Sequence, residues 1–166
     1  IPTYTVTYHG NGNTGGTAPV DSGSPYQDGS SVTVLGKANL VKDGYKFLGW
    51  SEREDATAPD NNFAPGKTFT ISKDTELYAV WQQIPTYTVN YHGNGNTGGT
   101  APVDSGSPYQ DGSSVTVLGK ANLVKDGYKF LGWSEREDAT APDNNFAPGK
   151  TFTISKDTEL YAVWQQ

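Results

Sequence analysis

Gly10-Asn11-Gly12-Asn13-Thr14-Gly15 spells GxGxxG directly after an alternating stretch, a spacing that cradles a pyrophosphate when a helix follows it. That condition fails here. Gly16 to Asp28 holds Pro19 and Pro25 and has no 3.6-residue periodicity, so the segment reads as a glycine-rich surface loop with no cofactor. His9 flanks the polar face of the same alternating stretch. Histidine catalysis needs an orienting carboxylate and a nucleophile, which the sequence does not supply, and His9 is expected as a solvated strand-end residue. Glu52, Glu54, Asp55 and Asp60, with Asn61 and Asn62, offer oxygen ligands, but their spacing matches no EF-hand loop and reads as a flexible acidic loop. Two such carboxylates would serve glycoside hydrolysis only beside a substrate cleft. Exposed aromatics can stack on sugars or anchor a protein partner, and Tyr26, next to Pro25, is the best candidate. Tyr45, Phe47, Trp50, Leu77, Tyr78 and Trp81 are expected in the core. No residue is assigned as catalytic, cofactor-binding or metal-ligating.

The elements that would position these residues are strands. Thr3-Tyr4-Thr5-Val6-Thr7-Tyr8-His9 alternates, with Tyr4, Val6 and Tyr8 on one face and threonines on the other. Ser31–Leu35, Tyr45–Trp50, Thr68–Ile71 and Leu77–Trp81 give four more strands, the last apolar on both faces as a central, doubly covered strand requires. Lys37–Lys42 is the only stretch that could hold a helical turn, and Asp43-Gly44 and Pro65-Gly66 are turn signals. The fold class is therefore mostly β, small α+β at most.

The whole pattern occurs twice. Residues 1–83 recur as 84–166 with one difference, Thr7 against Asn90, and internal repetition at a fixed period marks architectures in which copy number is itself the product. An 83-residue period suits independent beads better than a solenoid turn, and the lone mismatch points to a piece of a longer natural array. A bead of this size has a small core and must be aromatic-rich. Cysteine is absent, so no disulfide staples it. No apolar run approaches the length of a membrane span, and no secretion signal is present, so targeting and anchoring are expected outside this fragment. The net charge of −6 divides evenly, and Lys37, Lys42, Lys46, Arg53, Lys67 and Lys73 are scattered among acids, which argues against a nucleic-acid partner. Between the copies, Pro85 fixes its own φ and restricts Ile84, giving a semi-rigid joint.

Gly44-Tyr45-Lys46-Phe47-Leu48-Gly49-Trp50, then Phe63–Ile71, then Thr75-Glu76-Leu77-Tyr78-Ala79-Val80-Trp81 closely resemble the Listeria-Bacteroides repeat family, the internalin-type B-repeats of bacterial surface proteins. The resemblance covers nearly all of both copies. Gly10 to Leu40 is longer than in the shorter family members, and details of that region do not transfer. The resemblance implies tandem β-grasp-like (ubiquitin-related) domains in an extended head-to-tail arrangement, in secreted or wall-attached proteins. In a β-grasp sheet the first and last strands lie side by side and parallel, so each bead's termini are at opposite ends.

The functional expectation is a non-enzymatic, extracellular spacer or stalk segment of a bacterial cell-surface protein, its partners being neighbouring repeats. The alternative is an adhesive module that binds a host protein or glycan with avidity from repetition.

Overall fold

The computed structural model describes Ile1–Gln166, which divides into two compact units, Ile1–Ile84 and Pro85–Gln166. In the first unit the strands are β1 (Thr3–Tyr4), β2 (Val6–His9), β3 (Tyr26–Gln27), β4 (Ser31–Thr33), β5 (Tyr45–Ser51), β6 (Thr68–Thr70) and β7 (Thr75–Gln83). The second unit repeats them as β8 (Thr86–Tyr87), β9 (Val89–His92), β10 (Tyr109–Gln110), β11 (Ser114–Thr116), β12 (Lys129–Ser134), β13 (Thr151–Thr153) and β14 (Thr158–Gln165). The chain is mostly β; its helical content is one 3-10 turn per unit, Asn61–Phe63 and Asn144–Phe146.

Each unit is built on a three-stranded sheet in the order β2-β7-β5, or β9-β14-β12, with β7 and β14 central. β2 runs parallel to β7, pairing Val6 with Thr75 and His9 with Tyr78, and β5 runs antiparallel on the other side. Alternation along β2 buries Val6 and Tyr8 and exposes Thr7. On β7, Leu77 and Ala79 face the core, and Val80 on the opposite face is also only 2% exposed. Its cover is the 52–60 segment: the Asp60 amide donates to the Trp50 carbonyl (2.8 Å), and Pro59 packs over Gly49, the register partner of Val80. The doubly apolar β7 of the sequence is thus the central strand, buried on its inner face and covered on its outer face at Val80, while Glu76 and Tyr78 of that face reach the surface.

The alternating stretch Thr3–His9 is expected as one strand and forms two. It breaks at Thr5, whose amide donates to Asp74 Oδ1 (2.9 Å) and whose carbonyl accepts the Thr75 amide (2.8 Å). Before the break, β1 pairs antiparallel with β3; after it, β2 pairs with β7. The stretch Lys37–Lys42 is a turn, not a helix, closed by the Leu40 amide on the Lys37 carbonyl with Ala38 at φ 55°. Of Ser31–Leu35, Ser31–Thr33 form β4 and Val34 continues the hydrogen bonding to Lys67 and Gly66. The pairing ends at Leu35, whose amide donates to the Tyr8 hydroxyl (3.0 Å) and whose carbonyl accepts Trp50 Nε1 (2.9 Å).

The core of the first unit gathers Val6, Tyr8, Val32, Val34, Leu40, Trp50, Phe63, Ile71, Leu77 and Ala79; the second has its own core of the equivalent strands. Trp50 and Leu77 are fully buried, and Phe47 and Trp81 pack half-buried against them. Tyr45 and Tyr78, expected in the core, instead lie at the surface, half-buried.

Gly49 sits at the β5 bulge with φ 148°, and a Cβ there would lie 2.7 Å from Pro59 Cβ. Gly66 also has positive φ, at 85°, but open space around it. Gly66→Ala should therefore cost about 1 kcal/mol from backbone strain alone, and Gly49→Ala at least about 2 kcal/mol because a collision is added. With one repeat altered and its core separate, urea unfolding of the full chain should become biphasic for Gly49→Ala. A single unshifted transition would contradict this account.

Candidate functional site

The parallel register of β2 and β7 sets Thr7 opposite Glu76 and His9 opposite Tyr78, so all four side chains share the outer face of the sheet. His9 Nε2 lies 2.7 Å from Glu76 Oε1, and its ring stacks on Tyr78 with centroids 4.6 Å apart and planes 16° apart. The second unit repeats this with His92, Glu159 and Tyr161, at 2.7 Å and 4.5 Å. His9 ends β2 and is partly exposed, in line with a solvated strand-end residue, and the register gives it a carboxylate neighbour that the sequence does not reveal. The signal was in the sequence only as two stretches some 67 residues apart, which cannot be paired until the register is known.

The one difference between the repeats falls on this cluster. Asn90, in the place of Thr7, donates from Nδ2 to Glu159 Oε2 (2.9 Å), while His92 takes the other oxygen. These hydrogen bonds, that of Asn90 first and that of His92 second, hold the Glu159 carboxyl below the usual carboxylate range. The His9 and Glu76 side chains are 37% and 46% exposed, and the group presents one carboxylate, one imidazole and a phenol ring to solvent. As chemistry it is a cross-strand polar cluster, not a water-excluded acid–base site.

The GxGxxG loop is a clamp. Asn11, at φ 55°, donates from Nδ2 to the carbonyls of Glu54 and Ala79, both at 2.9 Å, and the Gly10 carbonyl accepts Trp81 Nε1 at 2.9 Å. The Thr14 and Gly15 amides both donate to the Val41 carbonyl, and Asn13 Nδ2 donates to the Gly15 and Gly16 carbonyls. These donors fasten the loop to its own unit and are not arrayed toward a phosphate.

The acidic residues of 52–60 diverge. Glu52 pairs with Lys73 (3.4 Å), Arg53 with Asp55 (3.3 Å), and Asp60 Oδ1 accepts the Asn62 amide as the cap of the 3-10 turn. No three His, Cys, Asp or Glu side chains assemble into a group able to hold a metal ion. The exposed pairs contribute little stability.

Tyr26, the residue singled out as an exposed contact, is instead half-buried on the core's rim. Its hydroxyl donates to the Asp21 carboxylate, 2.8 Å from each oxygen, so the ring has no free polar end to offer a partner. Burial, and then the hydrogen bond to Asp21, push the phenol up to about 12, and Tyr109 beside Asp104 is pushed up equally.

Set beside known proteins, the chain matches the Listeria-Bacteroides repeat domain at residues 4–80 and again at 87–163, and it belongs to that family. Two relatives from Evansella cellulosilytica are 32% and 35% identical over 98% and 99% of this chain; they are provisionally named a Gly-rich membrane protein and a membrane protein. The chain spans only 18% and 22% of their lengths. A solved structure of Streptococcal High Identity Repeats in Tandem (SHIRT) domains 3-4 from a cell surface protein aligns over 99% of this chain and 97% of its own. Its identity is 18% and its TM-score 0.33, a likeness that does not fix a common fold. No helix in the chain is long and apolar enough to cross a membrane.

Two pH effects follow from these contacts. Tyr26 and Tyr109 keep their protons to about 12 when folded but release them near 10 when unfolded, so the native state binds more protons between those values. Their contribution is complete below pH about 10 and fades as pH rises toward 12. Thermal melts should show that loss, and Tyr26→Phe with Tyr109→Phe should flatten it. Asn90→Thr should raise the Glu159 carboxyl pKa, read by 13C NMR of the side chain; an unmoved titration would rule out the Asn90 hydrogen bond as its cause.

Proposed function

We propose that this chain is a non-enzymatic spacer segment of an extracellular, cell-surface protein, each repeat a β-grasp-like bead that adds length. The observation that carries the reading is the parallel pairing of the first long strand with the last. β7 begins beside Val6 and runs on to Gln83, so the chain leaves the first unit eight residues beyond the point where β2 starts, about 26 Å along the strand direction at roughly 3.3 Å per residue. A unit that takes the chain in at one end of its sheet and releases it at the other converts copy number into reach. Near-identity of the copies favours the same reading, because duplication changes reach directly.

The surface location draws on the family, whose resemblance implies secreted or wall-attached proteins, and on the relatives provisionally named membrane proteins, of which this chain matches about a fifth. The absence of an enzymatic role is part of the proposal: the titratable groups are dispersed in exposed pairs, and the outer-face cluster has no nucleophile set against His9.

Small-angle scattering on one, two and four repeats in series tests it. The maximum dimension should grow by a near-constant increment of roughly 30 Å per added repeat. A four-repeat chain no longer than the two-repeat chain would overturn the spacer reading.

A further inference from the structure

The fold gathers lysines that the sequence scatters. Lys37, Lys42 and Lys46 line one open groove of about 400 Å³ in the first repeat, walled by Val41, Tyr45 and Trp81. Lys120, Lys125 and Lys129 line its counterpart of about 550 Å³, where Asp126 is the one carboxylate on the wall. Elsewhere in each repeat the cations other than Lys67 and Lys150 are paired: Arg53 and Lys73 with Asp55 and Glu52, Arg136 and Lys156 with Asp138 and Glu135. Of the lysines that have no ion-pair partner in the first repeat, Lys67 alone lies outside the groove. A net-acidic protein thus concentrates most of its uncompensated positive charge at one place per repeat.

Two of these ammonium groups are fixed. Lys37 Nζ donates to the Leu40 carbonyl (3.1 Å), and Lys42 Nζ lies 4.2 Å from the Tyr45 ring centroid. Val41 is 48% exposed between them, and the second repeat matches it in Val124 and in Tyr128, 39% exposed. Charge and ring surface therefore stand side by side, which suits a ligand that alternates anionic groups with apolar faces.

The groove's backbone decides between ligand classes. The Leu40 amide donates to Lys37, the Val41 amide to Gly15 and the Tyr45 amide to Lys42; the Val41 carbonyl takes the Thr14 and Gly15 amides, and the Gly44 carbonyl takes that of Ile84. An extended peptide binds largely through main-chain hydrogen bonds, and here those groups are occupied. What the groove offers a ligand is the Lys46 ammonium, the donors that Lys37 and Lys42 have beyond their own contacts, and aromatic ring surface, the chemistry that recognises an acidic sugar.

We propose that this groove, in each repeat, is a binding site for an acidic polysaccharide, with Lys42 and Lys46 meeting its carboxylate or sulfate groups and the Tyr45 and Trp81 rings lying against its sugar faces. Each site is weak, because the surrounding net negative charge opposes a polyanion at long range, and repetition supplies the affinity. The spacer reading stands or falls separately, since scattering measures reach with no ligand present.

The test is titration of the 15N-labelled two-repeat chain at low ionic strength with polygalacturonate and with dextran sulfate, which separate carboxylate from sulfate recognition, against neutral dextran and polyglutamate. Amide shifts should move at 41–47 and 124–130 with an acidic polysaccharide and stay still with dextran. Lys42→Gln and Lys46→Gln, combined with Lys125→Gln and Lys129→Gln, should weaken binding by about tenfold or more with an unchanged circular dichroism spectrum. Lys67→Gln with Lys150→Gln should leave it unchanged. Binding by neither acidic polysaccharide, equal weakening in the Lys67/Lys150 variant, or tighter binding of polyglutamate would each overturn the proposal, the last assigning the groove to acidic peptides.

Discussion

The backbone of Leu35 is the point on which the rest of each repeat depends. Its amide and its carbonyl leave the β4 ladder and are satisfied by the polar ends of two core aromatics, Tyr8 from β2 and Trp50 from β5. Those rings meet edge-on, with centroids 4.8 Å apart, and Trp50 is fully buried. Backbone N–H and C=O groups left without partners away from water cost more than an ordinary hydrogen bond contributes. These two are partly buried, so both aromatics are held in place by what they satisfy as well as by what they cover. The consequence reaches across layers. Leu35 follows β4, whose ladder with β6 is extended by Val34 and Gly66, while Tyr8 and Trp50 belong to the three-stranded sheet. The backbone of one residue therefore ties the small sheet to the large one in a domain without cysteine.

That link also explains what a linear reading captures and what it misses. Period-2 alternation locates β2, and the doubly apolar run at Leu77–Trp81 identifies the central strand, because both signals are local. The break at Thr5 is not local: the Asp74 carboxylate that holds the Thr5 amide arrives from the far end of the repeat. The two-residue β3 is equally invisible, since Tyr26-Gln27 becomes a strand only where β1 is present to pair with it. The same limit applies to the surface. Tyr26 looks exposed beside a proline until Asp21 is seen to take its hydroxyl, and His9 looks alone until the parallel register brings Glu76 to it. Lysines that alternate with acids along the chain become a patch once Lys37–Lys42 turns instead of forming a helix and the acids of 52–60 fold away to Lys73, Arg53 and the 3-10 turn.

The two repeats amount to a natural substitution made in an otherwise constant sequence. Position 7 and its counterpart 90 lie on the outer face of an edge strand, where a side chain can change without touching the core. Threonine favours the strand, and asparagine forgoes that preference while gaining a hydrogen bond to the neighbouring carboxylate. Isolated bridging of Thr7 to Val20 is present in the first repeat. The cores, by contrast, match residue for residue, down to full burial of Trp50 and Trp133.

On the proposed spacer reading, the domain faces constraints unlike those of an enzyme. It needs a central strand that both receives the first strand in parallel and carries the chain out, and β7 does both, at nine residues the longest strand of its unit. A hydrogen-bonded strand transmits tension along its backbone, and parallel pairing of the first and last strands loads their shared ladder in shear, so its hydrogen bonds are strained together instead of one at a time. On the proposed spacer reading, the topology that would add length is also the one that loads this ladder in shear. It leaves the groove walls, built from the turn before β5 and the end of β7, free to vary in chemistry without disturbing that ladder.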